Sequence, residues 1–325
     1  MPYGIDVLRY EQSFGQQVVV GLSWDILLVF AFVAALVFLI HFVVRDLLNP
    51  TGHTPRGGEE STEEIERSLE AQGVDEVRRF SAAQRASHWI MAIAVFLLML
   101  SGFLIMNADV TVKTVLGASW LLIHEVSSIV LIGYVFFHLG HVASKGTWGE
   151  MWFGREDAVD LWVRLKNFVG ATQEYPKQFK YPSAQKLLHW AVTGATLGLV
   201  VTGLVLLRRV QTPLWDAARE FTFLGVTFGI GGSSAGNMGL VPWSFVLHDF
   251  LAVATLALVM GHVYFALRPR EWAITRSMVT GTVSATAYAE KYSPTSWAVS
   301  GTASADGGEP EAAEDHAGPD DGDGR

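Results

Sequence analysis

Residues 118–143 read ASWLLIHEVSSIVLIGYVFFHLGHVA and residues 243–267 read WSFVLHDFLAVATLALVMGHVYFAL, two apolar stretches that each hold a histidine near their start and another 14 positions on. The pairs are His124 with His138 and His248 with His262. Fourteen residues is close to four α-helical turns, so each pair lies on one helix face with its imidazoles about 21 Å apart along the axis. That spacing suits two cofactors stacked across a bilayer.

The composition identifies the solvent these histidines meet. Half of the 325 residues are hydrophobic and they are gathered into long blocks, the mark of an integral membrane protein. Besides the two stretches already quoted, residues 24–44, 88–107 and 187–207 are long and apolar enough to span, which makes five expected transmembrane helices. The first block is too long, and its flank with Arg9 too poor in basic residues, for a cleaved secretory signal, so it is expected to be a retained helix. The chain has no cysteine, which excludes disulfides, thiolate-held iron-sulfur clusters and covalent c-type haem. Any metal must be held by histidine or oxygen.

Lysine and arginine orient the spans. The segment 45–85 carries six arginines, 144–186 carries seven basic residues, and Arg268, Arg270 and Arg276 follow the last span, whereas the alternate loops hold Arg9, then Lys113, then Arg208, Arg209 and Arg219. The positive-inside rule places the N-terminus outside and the C-terminus in the cytoplasm of a multi-pass cell-membrane protein. Spans two and four then enter from the cytoplasm, which sets His88 and His189 near the inner face together with His138 and His262. His124 and His248 lie near the outer face.

The chain also repeats itself. Arg85-Ala-Ser-His88-Trp89 leads to Ser101-Gly102, and Gln185-Lys186-Leu-Leu-His189-Trp190 leads to Thr202-Gly203. Each half continues to a helix opening Ile123-His124-Glu125 or Leu247-His248-Asp249 and reaches a further histidine four turns on. A duplicated helix pair is the simplest reading.

Depth-matched histidines in such a bundle point to bis-histidine ligation of b-type haem by spans two to five. Iron takes two axial nitrogens from facing helices, and the macrocycle needs an apolar slot with small residues at close approaches, for which Gly102 and Gly203 offer notches. The plainer reading of any one intramembrane histidine is a hydrogen-bonded packing residue. A histidine-lined metal or proton transporter is the competing reading from another class; it expects acids paired with histidines deep in several spans, whereas Glu125 and Asp249 lie beside the outer pair. Arg79, Arg85 and Lys186 are placed to pair with haem propionates, although positive-inside anchoring explains them equally well.

Outside the spans, residues 59–72 are expected to form a charged helix opened by a capping box Ser61-x-x-Glu64, and Asp157 to Val169 a helix lying at the membrane interface. Gly225, Gly229, Gly231, Gly232, Gly236 and Gly239 lie between spans four and five. No strand precedes them and no Lys-Ser/Thr follows, so they are read as a docking surface for an electron-transfer subunit or a plain loop. No catalytic triad, soluble carboxylate dyad or nucleotide loop occurs, and nucleic acid is not an expected partner.

A set of motifs goes further. Arg85-x-x-His88-Trp89, Leu122-Ile123-His124, Tyr181-x-x-x-Gln185-Lys186, Val201-Thr202-Gly203, Leu247-His248, Gly261-His262-Val263-Tyr264 and Met278-Val279-x-Gly281-x-Val283-Ser284, with Pro294 and Trp297, together resemble the di-haem cytochrome b, or gamma, subunit of respiratory formate dehydrogenases, related to the cytochrome b subunits of nickel-iron hydrogenases. The resemblance runs from about Arg79 to Trp297.

The resemblance implies two haem b groups, one ligated by His88 and His262 on the cytoplasmic side and one by His124 and His248 on the outer side. It implies a membrane anchor that takes electrons from an iron-sulfur subunit, itself served by a molybdenum or tungsten catalytic subunit, and passes them to quinone near the inner haem. Such a subunit lacks the primary catalytic centre. A stand-alone di-haem electron carrier is the alternative that neighbouring genes would discriminate.

Three positions depart from the family pattern. His138 and His189 are additional. By the repeat they are the mate of His88 with His262, which raises a third haem, although contact with a propionate or quinone is the preferred role. Pro182 stands where a polar quinone contact is usual, and that contact is expected to pass to Ser183, Gln185 or His189. The plainer reading of Pro182-Ser183 is the start of a helix. The expected fold is an all-α membrane protein, with a four-helix haem-binding bundle and one extra N-terminal transmembrane helix. Its expected divisions are 1–45 for the first helix, 46–80 for a cytoplasmic linker, 81–297 for the haem domain and 298–325 for a disordered acidic tail.

Overall fold

The computed structural model describes residues 8–13, 16–22, 24–48, 54–55, 58–106, 120–207, 220–223, 226–229, 240–294, 297 and 299. The acidic tail and most of the glycine-rich segment lie outside the described residues. The fold is an all-α membrane architecture. Its long helices are α1 (Trp24–Phe42), α3 (Ala82–Met106), α4 (Trp120–Lys145), α6 (Ser183–Leu207) and α7 (Leu240–Leu267), with α2 (Gly58–Ala71) and α5 (Arg155–Phe168) between them and α8 (Trp272–Thr280) and α9 (Ala285–Lys291) after them. Five stretches are long and apolar enough to cross a membrane: Leu28–Leu48, Ala82–Ile105, Trp120–Ser144, Ser183–Leu207 and Trp243–Leu267.

Local chemistry sets where these helices begin. Ser81 and Gln84 form a reciprocal capping box, Gln84 N–H donating to Ser81 Oγ at 3.2 Å and Ser81 N–H to Gln84 Oε1 at 2.9 Å. That cap starts α3 at Ala82, six residues before the apolar run expected at 88, and so draws His88 inside the helix. Capping at Ser61 does not occur, because α2 already begins at Gly58; Ser61 instead accepts a 3.0 Å hydrogen bond from Lys177 Nζ. The interfacial helix α5 starts at Arg155, and Asp157 Oδ2 accepts from Gly154 N–H at 2.9 Å.

The first span ends in an unusual way. After Phe42 the chain continues as a π-helix, Val43–Leu48, whose wider turn sets Asp46 against two arginines beyond α7. Asp46 Oδ1 lies 2.8 Å from Arg268 Nη2 and 2.7 Å from Arg270 Nη2. His41 is stacked on Phe168, 3.8 Å between centroids, and hydrogen-bonds the Tyr264 hydroxyl. The first helix is thereby tied to α5 and α7.

Close packing among the other four spans runs within each sequence repeat, α3 against α4 and α6 against α7. The side chains the spans leave exposed are apolar, among them Phe96, Phe136, Val201 and Phe250, as a lipid solvent requires. A separate small core stands where α3 begins and α7 ends. There β1 (Glu76–Arg78) pairs antiparallel with β2 (Thr282–Ser284), and Leu69, Val77, Ile274, Val283, Tyr288 and Tyr292 close over each other. Gly281 makes the turn into β2 at φ 93°, where a Cβ would also come 3.0 Å from the Phe80 carbonyl oxygen.

Candidate functional site

Three histidine pairs bridge the two repeats. His88 on α3 faces His262 on α7 with ring centroids 6.2 Å apart and planes at 60°. His124 on α4 faces His248 on α7 at 6.5 Å and 58°. His138 on α4 faces His189 on α6 at 5.5 Å and 55°. All six histidines singled out in the sequence are thus brought together two by two.

The first two separations match a specific chemistry. A ring nitrogen about 2.0–2.1 Å from a metal, with its ring centroid about 1.1 Å behind it, puts two collinear axial imidazoles about 6.2–6.4 Å apart. Among the described residues no three His, Cys, Asp or Glu side chains gather as a metal site. Each pair therefore suits a group that brings its own equatorial donors, as a porphyrin brings four nitrogens. His88 also has a buried Nδ1 with no hydrogen-bond partner among the described residues.

The His124–His248 pair has its tautomer set by the helix that precedes each histidine's own. Ser101, fully buried, donates its hydroxyl proton to the Leu97 carbonyl at 2.6 Å, so its oxygen is left to accept from His124 Nδ1–H at 2.9 Å. Thr202 repeats this in the second half, donating to the Gly198 carbonyl at 2.8 Å and accepting from His248 Nδ1–H at 2.8 Å. With Nδ1 protonated, both rings present the Nε2 lone pair as ligand. Neither hydroxyl was singled out as functional from sequence; the signal was a hydroxyl residue at the same place in both repeats. Gly102 and Gly203 lie under these rings, where a Cβ would meet Cε1 of His124 or His248 at 3.6 Å in each case. They seat the imidazoles closely against the neighbouring helix.

The polar residues at the end of the bundle where α3 begins and α7 ends are largely committed within the protein. Lys186 is buried, 3.0 Å from Asp157 Oδ2, with its ammonium 4.8 Å from the centre of the Phe179 ring. Arg85 donates to the Val279 carbonyl. Arg79 is buried among Ser277 Oγ (3.2 Å), Gln185 Oε1 (3.2 Å) and the Lys180 carbonyl (3.4 Å), and it lies over the Phe80 ring at 4.7 Å. Gln185 is thereby engaged, whereas Ser183 Oγ is buried without a hydrogen-bond partner among the described residues. Burial holds the Tyr181 hydroxyl above the ordinary tyrosine range, Glu150 adding to the rise and Arg79 opposing it, so Tyr181 stays protonated at neutral pH.

A family profile described as prokaryotic cytochrome b561 matches residues 79–281, more than half of the chain. Among curated proteins the chain is similar to the formate dehydrogenase cytochrome b556(fdo) subunits of Escherichia coli strains K12, O6:H1 and O157:H7. Each is 24% identical over 224 residues, covering 68% of this chain and 91% of the relative.

Proposed function

The chain belongs to the prokaryotic cytochrome b561 family, and from that premise we propose that it is the membrane-anchoring cytochrome b subunit of a formate dehydrogenase-like respiratory oxidoreductase. It carries electrons from an outer-face iron-sulfur subunit, served by a molybdenum or tungsten catalytic subunit, through two b-type haems to quinone. The observation that carries this reading is the pair of imidazole couples at 6.2 and 6.5 Å, both spaced for one iron each. When bound, haem would supply the reversible one-electron chemistry of the relay.

The protein's own residues do the rest. His88 and His262 hold the inner group and His124 and His248 the outer one, with His248 and His262 14 residues apart on α7, about 21 Å of helix axis. Ser101 and Thr202 orient the rings of His124 and His248 and leave Nε2 free to ligate. Apolar span residues exclude water between the two levels. At the inner face Ser183, whose hydroxyl has no hydrogen-bond partner among the described residues, is the group available to hydrogen-bond a quinone oxygen. The basic residues gathered on that side support a cytoplasmic location for it and for the C-terminus. The formate dehydrogenase relatives suggest the kind of partner, and the histidines, which among the described residues gather in twos and not in threes, disfavour a bare-metal transporter.

The test is spectroscopic. Purified full-length protein reduced with dithionite should show a b-type α-band, and the quinol analogue duroquinol should reduce part of it. No α-band with dithionite would contradict the haem assignment. An α-band that duroquinol cannot raise would contradict the quinone assignment.

A further inference from the structure

We propose that His138 and His189 are the axial ligands of a third haem b, held at the inner end of the bundle on the side opposite His88 and His262. The inference rests on the same bis-histidine chemistry as the two-haem reading and extends it to a site the di-haem pattern leaves unused.

The internal repeat carries it. A shift of 101 residues maps His88 onto His189, Ser101 onto Thr202 and Gly102 onto Gly203, and a shift of 124 maps His124 onto His248 and His138 onto His262. Exchanging the repeats therefore turns the outer pair into itself, so it lies on the pseudo-two-fold axis. The inner pair His88 with His262 cannot map onto itself and becomes His189 with His138. A duplicated bundle that builds one inner ligand pair builds the other by the same geometry, provided both histidines are present, and here they are.

The two inner pairs lie on different seams between the repeats. Tight packing runs between α3 and α4 and between α6 and α7. Two seams between the repeats are left, α3 with α7 and α4 with α6. His88 and His262 meet across the first seam, His138 and His189 across the second, while His124 and His248 join α4 to α7 through the middle. Three ligand pairs thus occupy three different helix pairings.

The ring geometry is that of the other two pairs with a smaller gap. The interplanar angle of 55° sits beside 60° and 58°. The 5.5 Å centroid separation is about 0.8 Å below what a collinear iron needs, a distance covered by small rotations of χ1 and χ2 within one rotamer well. Tyr134, one turn before His138, is stacked on it at 5.7 Å and 20° and limits how that ring turns. Among the described residues no third His, Cys, Asp or Glu joins these two in a metal-holding group, and two histidines are too few for a tetrahedral zinc ion and enough for a porphyrin iron.

Haem per chain, measured by pyridine haemochrome against quantified full-length protein, decides it. The expected ratio is three, falling to two in His138→Ala and in His189→Ala, with the double variant also at two because one iron loses both ligands. The two haems that remain report that the variants fold. Potentiometric titration of the unmodified protein, which needs no variant, should resolve three one-electron components of equal amplitude. A ratio of two that neither substitution lowers, or a titration with two components, would overturn the third site and leave the two-haem reading standing. A ratio of zero would sink both.

Discussion

In the proposed haem centre, Ser101 and Thr202 would direct metal chemistry without touching the metal. Each gives its proton back to its own helix and offers its oxygen to a histidine on the next one. Removing that acceptor frees the imidazole to rotate and lowers its basicity, so Ser101→Ala and Thr202→Val should each weaken outer-haem binding about 10–100-fold. A less basic ligand favours the ferrous state, and the outer haem's midpoint potential should rise. Loss on a haem-transfer assay with apomyoglobin and a redox titration check both effects; unchanged affinity and potential would reduce the hydroxyls to packing groups. The histidines themselves were legible in the sequence because helical rise turns a 14-residue spacing into a depth. Their hydroxyl partners were not, since Ser and Thr in a transmembrane helix bond their own backbone as a matter of course.

Between helices, the structure depends on charges that sequence order hides. Lys186 and Asp157 are 29 positions apart, and both side chains are buried, with 9% and 5% of their surface exposed. Lys186 at the start of α6 was read as a propionate partner or a plain positive-inside anchor, and the ion pair that occupies it is visible only once α5 folds back. Truncating one member strands a buried charge, so Lys186→Met alone should cost about 3–5 kcal/mol, whereas Lys186→Met with Asp157→Leu should come out near neutral. Thermal melts in detergent followed by circular dichroism compare the two; equal destabilisation would show that the pair is not coupled. Asp46 with Arg268 and Arg270 is the same lesson at the first helix, over more than 220 positions. Capping was legible in kind and misplaced in position: a box at Ser61 fits the sequence, yet α2 is already helical there and the box that forms is Ser81 with Gln84.

At the scale of the whole molecule, two similar helix pairs meet face to face and make ligand couples only where they meet. Hydrophobic blocks revealed the five spans, because a bilayer demands apolar length whatever the tertiary contacts. The repeat revealed which helices correspond. What neither gave was the partner of each histidine, since four of them share one depth; the ring separations across the seams supply it. The duplicated fold places one histidine pair on its axis and two off it.

The central claim is the pairing, and a matrix of alanine variants tests it most directly. His124→Ala, His248→Ala and their double should lack one and the same b-type component in reduced-minus-oxidised spectra, and His88→Ala, His262→Ala and their double should lack a different one. The cross-double His124→Ala with His262→Ala should lack both. If instead His124→Ala and His248→Ala remove different components, or the within-pair double loses more haem than either single variant, the couples assigned here are wrong.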